Sequence, residues 1–166
     1  MAGVRVVGLK AYAVVLPLRR PVRHASFSRT STENVIVRCT LSDGTVGWGE
    51  GVPREYVTGE SADSALDLLR DSDLKKQLES CPDFGSAVRM AEQLRLAQVP
   101  GDDRGCQGNA ARCALELAVL DAFGRSYGES LTSVTEQIAP NLFSYRPRVQ
   151  YSGAITGARG RTTPSL

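Results

Sequence analysis

Asp43 to Glu60 reads DGTVGWGEGVPREYVTGE, and the architecture on either side follows from it. Asp43-Gly44 is a strong signal for a tight hairpin turn. Gly47, Gly49 and Gly51 then alternate with Trp48, the only tryptophan, and Glu50. Without side chains they let the backbone bend or come close to something else. Pro53-Arg54-Glu55-Tyr56 starts a polar loop that carries an aromatic ring, and Thr58 and Ser61 both have the chemistry of a helix N-cap. A strand end therefore feeds a loop that feeds a helix. Loops held by rigid elements are common places for binding residues.

Upstream the sequence is β-rich. Val4 to Leu16 sets Leu9, Ala11, Ala13 and Val15 against Lys10, Tyr12, Val14 and Leu16, which predicts a strand with apolar character on both faces. Pro17 is expected to end it. Leu18 to Thr32, LRRPVRHASFSRTST, is expected to be a loop of about fifteen residues, a length that usually goes with function or disorder. Asn34 to Leu41 predicts a second strand with Val35, Val37, Cys39 and Leu41 on one face. Thr45 to Gly49 predicts a third, completing an antiparallel meander.

Downstream the apolar period lengthens from 2 to 3.6. Ser61 to about Leu78 carries Ala62, Ala65, Leu66 and Leu69 on one helical face, with Asp71-Ser72-Asp73 as a break point. Asp83 is the expected N-cap of a helix reaching about Gln98, striped by Phe84, Ala87, Val88, Ala91 and Leu94. Asn109 to Tyr127 is apolar most of the way round, as in a helix buried on several sides, and Gly128 is its natural C-cap. Ser130 to Ala139 predicts a short helix stopped by Pro140, and Val149 to Thr156 (VQYSGAIT) a last strand. Strands first and helices after give an α+β class: a three-stranded antiparallel meander followed by a three- to four-helix bundle. The expected core is Val35, Val37, Trp48, Leu66, Leu69, Val88, Leu115, Leu117 and Ile138.

The bulk numbers suit one globular domain: 166 residues, 42% hydrophobic and 23% charged. The net charge of +2 is unevenly spread. All 18 acidic residues lie at or before Glu136, and the last 30 residues hold four arginines, Arg146, Arg148, Arg159 and Arg161. Four arginines are a weak signal, and no nucleic-acid partner is expected. Cys39, Cys81, Cys106 and Cys113 show no C-x-x-C spacing, so neither a disulfide framework nor a zinc site is expected. Cys39 and Cys113 read as buried free thiols, in keeping with a reducing compartment. No apolar run approaches the ~18 residues of a membrane helix, and Arg5 and Lys10 interrupt the N-terminal apolar stretch. The expectation is a cytoplasmic chain without a membrane partner.

Three stretches together resemble the N-terminal capping domain of the enolase superfamily, in its muconate lactonizing enzyme, dipeptide epimerase and o-succinylbenzoate synthase group. They are ENVIVRCTLSDGTVGWGEG at 33–51, PREYVTGE at 53–60 and NAARCALELAVLDAFGRSYGESL at 109–131. The resemblance implies a capping domain over 1–140. It implies a linker with the first strand of a (β/α) barrel over 141–157, and a disordered tail over 158–166. It implies that Arg19–Ser28 and Glu50–Glu60 close over a small-molecule carboxylate substrate once a barrel is present. It also implies a reaction that begins with proton removal α to a carboxylate, with lysine bases and Mg²⁺ on barrel acids. The only lysines here are Lys10, Lys75 and Lys76, and no acid follows Glu136. The family's base and metal ligands are therefore missing. No cofactor is expected in this chain, Mg²⁺ is expected for a full-length family enzyme, and whether the chain is an enzyme stays open. Self-association is expected from a surface made to dock on a barrel. A stand-alone interaction module, using the meander and the basic end, is the alternative.

On this reading the candidate substrate-binding residues are Arg23, His24, Phe27, Glu50, Arg54 and Tyr56. Each has a plainer reading beside it. Arg54 and Glu55 can pair with each other at the surface. His24, without a visible partner, reads as polar surface as readily as a proton shuttle. Glu50 can face the cleft, cap a helix start or pair with an arginine. Asp121 and Arg125 stand in the favourable i,i+4 order and read as a structural pair.

Overall fold

The computed structural model describes residues 3–23, 28–103 and 105–150. Four strands form one antiparallel sheet in the order β3-β2-β1-β4: β1 (Val4–Arg23), β2 (Ser28–Leu41), β3 (Val46–Gly51) and the two-residue β4 (Ser80–Cys81). The expected meander is present, and β4 adds a fourth strand to it through the pairs Val4↔Cys81 and Arg5↔Ser80. Tyr127 locks that corner: its hydroxyl donates to the Cys81 carbonyl at 2.5 Å.

The expected loop over Leu18–Thr32 is largely strand instead. β1 and β2 pair from Val6↔Leu41 out to Arg23↔Ser28, with an irregularity between Pro17 and Val22. Pro17 and Pro21 cannot donate to a ladder, but a bulge absorbs them and pairing resumes beyond. A proline thus marks a local break here rather than the end of the strand.

Behind the sheet lies α4 (Asn109–Tyr127). Its packing explains the three glycines. A Cβ added at Gly47 would meet the Ala122 nitrogen at 2.1 Å, one at Gly49 the Ala114 carbonyl oxygen at 2.1 Å, and one at Gly51 the Ala110 carbonyl oxygen at 1.9 Å. The strand repeats every two residues, near 6.7 Å, and the helix every four, near 6 Å. Gly47, Gly49 and Gly51 therefore stay in step with Ala122, Ala118, Ala114 and Ala110, and the two backbones touch. The expected close approach is α4.

This alternation also corrects the expected core. The inward positions of β3 belong to the glycines, so Trp48 projects from the opposite face, 49% exposed, with the Arg38 guanidinium 5.9 Å from its ring centroid. Val35, Val37, Leu69, Val88 and Leu115 are buried as expected. Leu66 and Leu117 are half-buried. Ile138 is 52% exposed, because α5 (Thr132–Ile138) meets the core through Val134 instead. Phe123, Val119, Leu41 and Leu94 complete the largest buried side chains.

α2 (Ala62–Asp71) starts on a capping box between Ser61 and Ser64. Of the two possible caps, Ser61 serves, and Thr58 ends the one-turn α1 (Glu55–Thr58) inside the expected polar loop. α2 stops at the Asp71-Ser72-Asp73 break, and a 3₁₀ turn (Leu74–Lys76) follows. Asp83 caps α3 (Phe84–Gln93), accepting from the Ser86 backbone at 2.7 Å. That helix ends short of Gln98. α4 has the expected bounds, with Gly128 left-handed at φ 71° after it. All four cysteines are free. Burial pushes the Cys39 thiol up to about 12 and the Cys81 thiol up to about 11, so both are neutral core groups. Cys113, expected to be buried, is exposed. Val149 and Gln150 are not in a strand. The rest of the expected strand at 149–156 and the expected disordered tail lie outside the described residues.

Candidate functional site

The stretch beyond β3 turns away from α4 and, with the start of β2, frames a cleft of about 460 Å³. Ser28 to Glu33 form one wall; Pro53 to Tyr56 and Glu60 to Ala62 form the other. The arms are tied by Arg54. Its Nη2 donates to the Thr32 hydroxyl at 2.7 Å, and its Nη1 to the Pro53 carbonyl at 2.7 Å and the Glu33 carbonyl at 3.4 Å. A planar guanidinium with several fixed donors can bridge two segments this way where an ammonium cannot. All three acceptors are neutral, so the charge is not cancelled. The expected Arg54–Glu55 surface pair is not formed among the described residues.

Glu60 anchors the other wall. It is 3% exposed. One carboxylate oxygen accepts from the Ala110 amide at 2.9 Å, in the first turn of α4, and the other from the Thr58 hydroxyl at 2.7 Å. A carboxylate at a helix start satisfies an orphan donor and meets the positive end of the dipole. Glu60 thus fixes the loop to the buried helix, with both carboxylate oxygens engaged. Its partner in α4 is 50 positions distant, so no local pattern announces it.

The six candidate residues are not brought together as a set. Arg54 and Tyr56 line the cleft. Glu50 does not: it sits on the sheet face away from α4 and accepts from the Asn34 amide of the neighbouring strand. None of its three expected roles is seen; cross-strand pairing takes it. Arg23 ends β1 opposite Ser28. His24 and Phe27 lie outside the described residues. Arg29 was overlooked: it lines the cleft, and its Nε and Nη1 are buried without a hydrogen-bond partner. In the sequence it is one basic residue in a presumed loop. Only the continuation of β2 gives it a fixed place.

Asp121 and Arg125 pair as expected, with Arg125 Nε at 2.9 Å. Asp121 does more than that. It also accepts from the Trp48 backbone N–H at 2.9 Å, covering a donor on the open edge of the sheet.

A family model described as the mandelate racemase/muconate lactonizing enzyme N-terminal domain matches residues 6–135. An aromatic dipeptide epimerase of Herpetosiphon aurantiacus is 32% identical over 122 residues, covering 72% of this chain and 31% of that protein. An N-succinyl-L-Arg/Lys racemase of Bacillus cereus is 34% identical over 125 residues, covering 75% and 31%. The structure of a substrate-liganded L-Ala-D/L-Glu epimerase from Bacillus subtilis superposes with a TM-score of 0.57 at 26% identity, covering 74% of this chain and 32% of that one. The chain thus spans about a third of the length of the curated relatives it matches. With the domain match running from β1 into α5, this chain belongs to the mandelate racemase/muconate lactonizing enzyme family of the enolase superfamily, through its N-terminal domain.

Proposed function

We propose that this chain is the capping domain of a racemase, epimerase or cycloisomerase of that family, and that its cleft faces substrate and sets specificity. The supporting observation is a coincidence of two independent features. The segment that the resemblance assigns to substrate closure, Glu50–Glu60, supplies Pro53, Arg54, Glu55, Tyr56 and Glu60 to the cleft wall. The other such segment, Arg19–Ser28, ends on the opposite wall at Ser28.

The reaction needs a base and a charge sink in one place, because an enediolate carries two adjacent negative oxygens. In a full-length enzyme of the family, Mg²⁺ is the expected sink. The residues described here do not fit it. Among them, no group of three or more His, Cys, Asp or Glu side chains is placed to share one ion. Glu60 has both oxygens committed, and Glu50 is bonded to Asn34. Lys10, Lys75 and Lys76 are absent from the cleft lining. These 166 residues alone are therefore expected to catalyse no α-proton exchange.

The test is a chimera in which residues 1–140 replace the matching part of the Herpetosiphon aurantiacus relative, assayed on a dipeptide library with Mg²⁺. The expected result is an active chimera whose preferences differ from the parent's and shift again on Tyr56→Ala. An active chimera with the parent's profile, unmoved by that change, would overturn the capping reading. So would exchange catalysed by the 166-residue chain alone above a no-protein control.

A further inference from the structure

We propose that Arg54, Thr32, Asn34 and Glu50 form one directed hydrogen-bond relay that sets the spacing of the two cleft walls. Arg54 and Glu50 are thereby positioning residues: they hold the wall in place rather than touch what the cleft binds. The proposal rests on the reading of this cleft as the substrate-facing side, and it names what fixes the geometry of that side.

The relay crosses the point where the ladder ends. β2 and β3 pair as far as Val35↔Gly51. Continued by two residues, that register would set Glu33 opposite Pro53, which has no N–H to give. The Arg54 side chain takes over there. Its Nη1 reaches the Glu33 carbonyl at 3.4 Å and its Nη2 the Thr32 hydroxyl at 2.7 Å. The Thr32 hydroxyl donates in turn to Asn34 Oδ1 at 2.9 Å, and Asn34 Nδ2 donates to Glu50. The direction is forced from both ends. A guanidinium can only donate and a carboxylate can only accept, so the hydroxyl and the amide between them have one consistent orientation. Every donor then points from the cation toward the anion, an order in which neighbouring bonds polarise and strengthen one another. Asn34 is 5% exposed, with both ends of its amide engaged. Losing either partner therefore leaves a buried polar atom unsatisfied.

What the relay holds is a turn that adds nothing to the core. α1 is four residues long and buries none of them, and so short a helix does not persist by itself. The Val57 and Thr58 amides both donate to the Arg54 carbonyl. The residue that opens the turn through its backbone thus ties it to β2 through its side chain. Glu60 holds the far end on α4. Glu55 and Tyr56, which line the cleft, lie between these two ties. Glu50 is exposed, so water screens its end of the relay and its share is the smallest.

The test is fast amide exchange at Val57, Thr58 and Gly59 in the 166-residue chain, measured by NMR in a mutant cycle. Arg54→Met and Thr32→Val should each speed it roughly tenfold, and the double variant no more than either alone. Thr32→Ser keeps the hydroxyl and should stay within about twofold of the parent. Glu50 lies on β3, outside α1, yet Glu50→Gln should speed the same amides about threefold. Circular dichroism melting of each variant reports whether it is folded. Should Arg54→Met not fold, Arg54→Lys replaces it, which keeps the charge but loses the fork. Effects that multiply in the double variant would overturn the relay. So would exchange unmoved by Thr32→Val or by Glu50→Gln, or an equal loss in Thr32→Ser and Thr32→Val. The chimera separates this proposal from the capping reading. There Thr32→Val should shift the dipeptide preference and Thr32→Ser should not. A cap-dependent profile unmoved by Thr32→Val sinks the positioning role and leaves the cap standing. A coupled mutant cycle in a chain whose chimera keeps the parent's profile sinks the cap and leaves the relay.

Discussion

Val46–Gly51 and Pro53–Ala62 are neighbours in sequence and opposites in packing. The first lies on α4 so closely that no Cβ fits at Gly47, Gly49 or Gly51. The second leaves α4, holds on through one buried carboxylate, and encloses open polar space. Rigidity is thus built immediately beside the cleft. The seam fixes where the loop begins, and Glu60 fixes where it ends. A binding wall gains most from this arrangement, because its side chains are positioned without the wall itself being filled.

The largest effect expected from breaking that contrast is at the seam. Gly49→Val would set a side chain against the backbone of α4 rather than against a flexible neighbour. It should cost roughly 3 kcal/mol or more in urea unfolding, or leave the chain insoluble. Gly44→Ala is the control. Gly44 has nothing within 4 Å of an added Cβ but stands at φ 87°, so only backbone strain of about 1–2 kcal/mol is expected. Equal losses at the two positions would mean that the close approach does not govern the seam.

Next comes the anchor. Glu60→Ala leaves the Ala110 amide and the Thr58 hydroxyl without their partner, and should cost roughly 1–3 kcal/mol. Hydrogen exchange should quicken across 53–61 more than across β3. Uniform quickening would mean that wall and seam open as one unit. Smaller again, Asp121→Ala removes the partner of the Trp48 amide and should cost about 1 kcal/mol, with Trp48 fluorescence as the reporter.

The smallest effect is in acid. Asp43 is held below the usual carboxylate range, first by the Ser126 hydroxyl and then by the Thr45 amide; Asp83 is held there first by the Ser86 amide and then by the Ser86 hydroxyl. With the folded values below the unfolded ones, their contribution is complete above the unfolded value near pH 4. It is lost as pH falls through the folded values. An Asp43→Asn, Asp83→Asn double variant should therefore lose less Tm than the parent between about pH 5 and pH 2. An acid limb as steep as the parent's would assign the loss to other carboxylates.

What could be read in the sequence was whatever a local rule decides. The bounds of α4, the Asp83 cap, the Gly128 stop and the turn at Asp43-Gly44 each depend on a few adjacent residues and were legible there. The α+β class followed from the change of period, and the family resemblance from three stretches of matching residues. The continuation of β1 past Pro17 was not legible, because a bulge is tolerated only when the partner strand is in place to resume pairing. Trp48 was misplaced because hydrophobicity alone assigns a tryptophan to the core. Which face of β3 is buried depends on a helix more than sixty residues away whose alanines accept bare backbone. The cleft follows the same division. Arg54 and Tyr56 stood out in a polar loop, whereas Arg29 and Glu60 acquire their roles only from long-range neighbours. Periodicity and capping are properties of the chain. Which side of a strand is covered, and which charge is left unpaired, are properties of two chain segments meeting, and only the tertiary structure decides them.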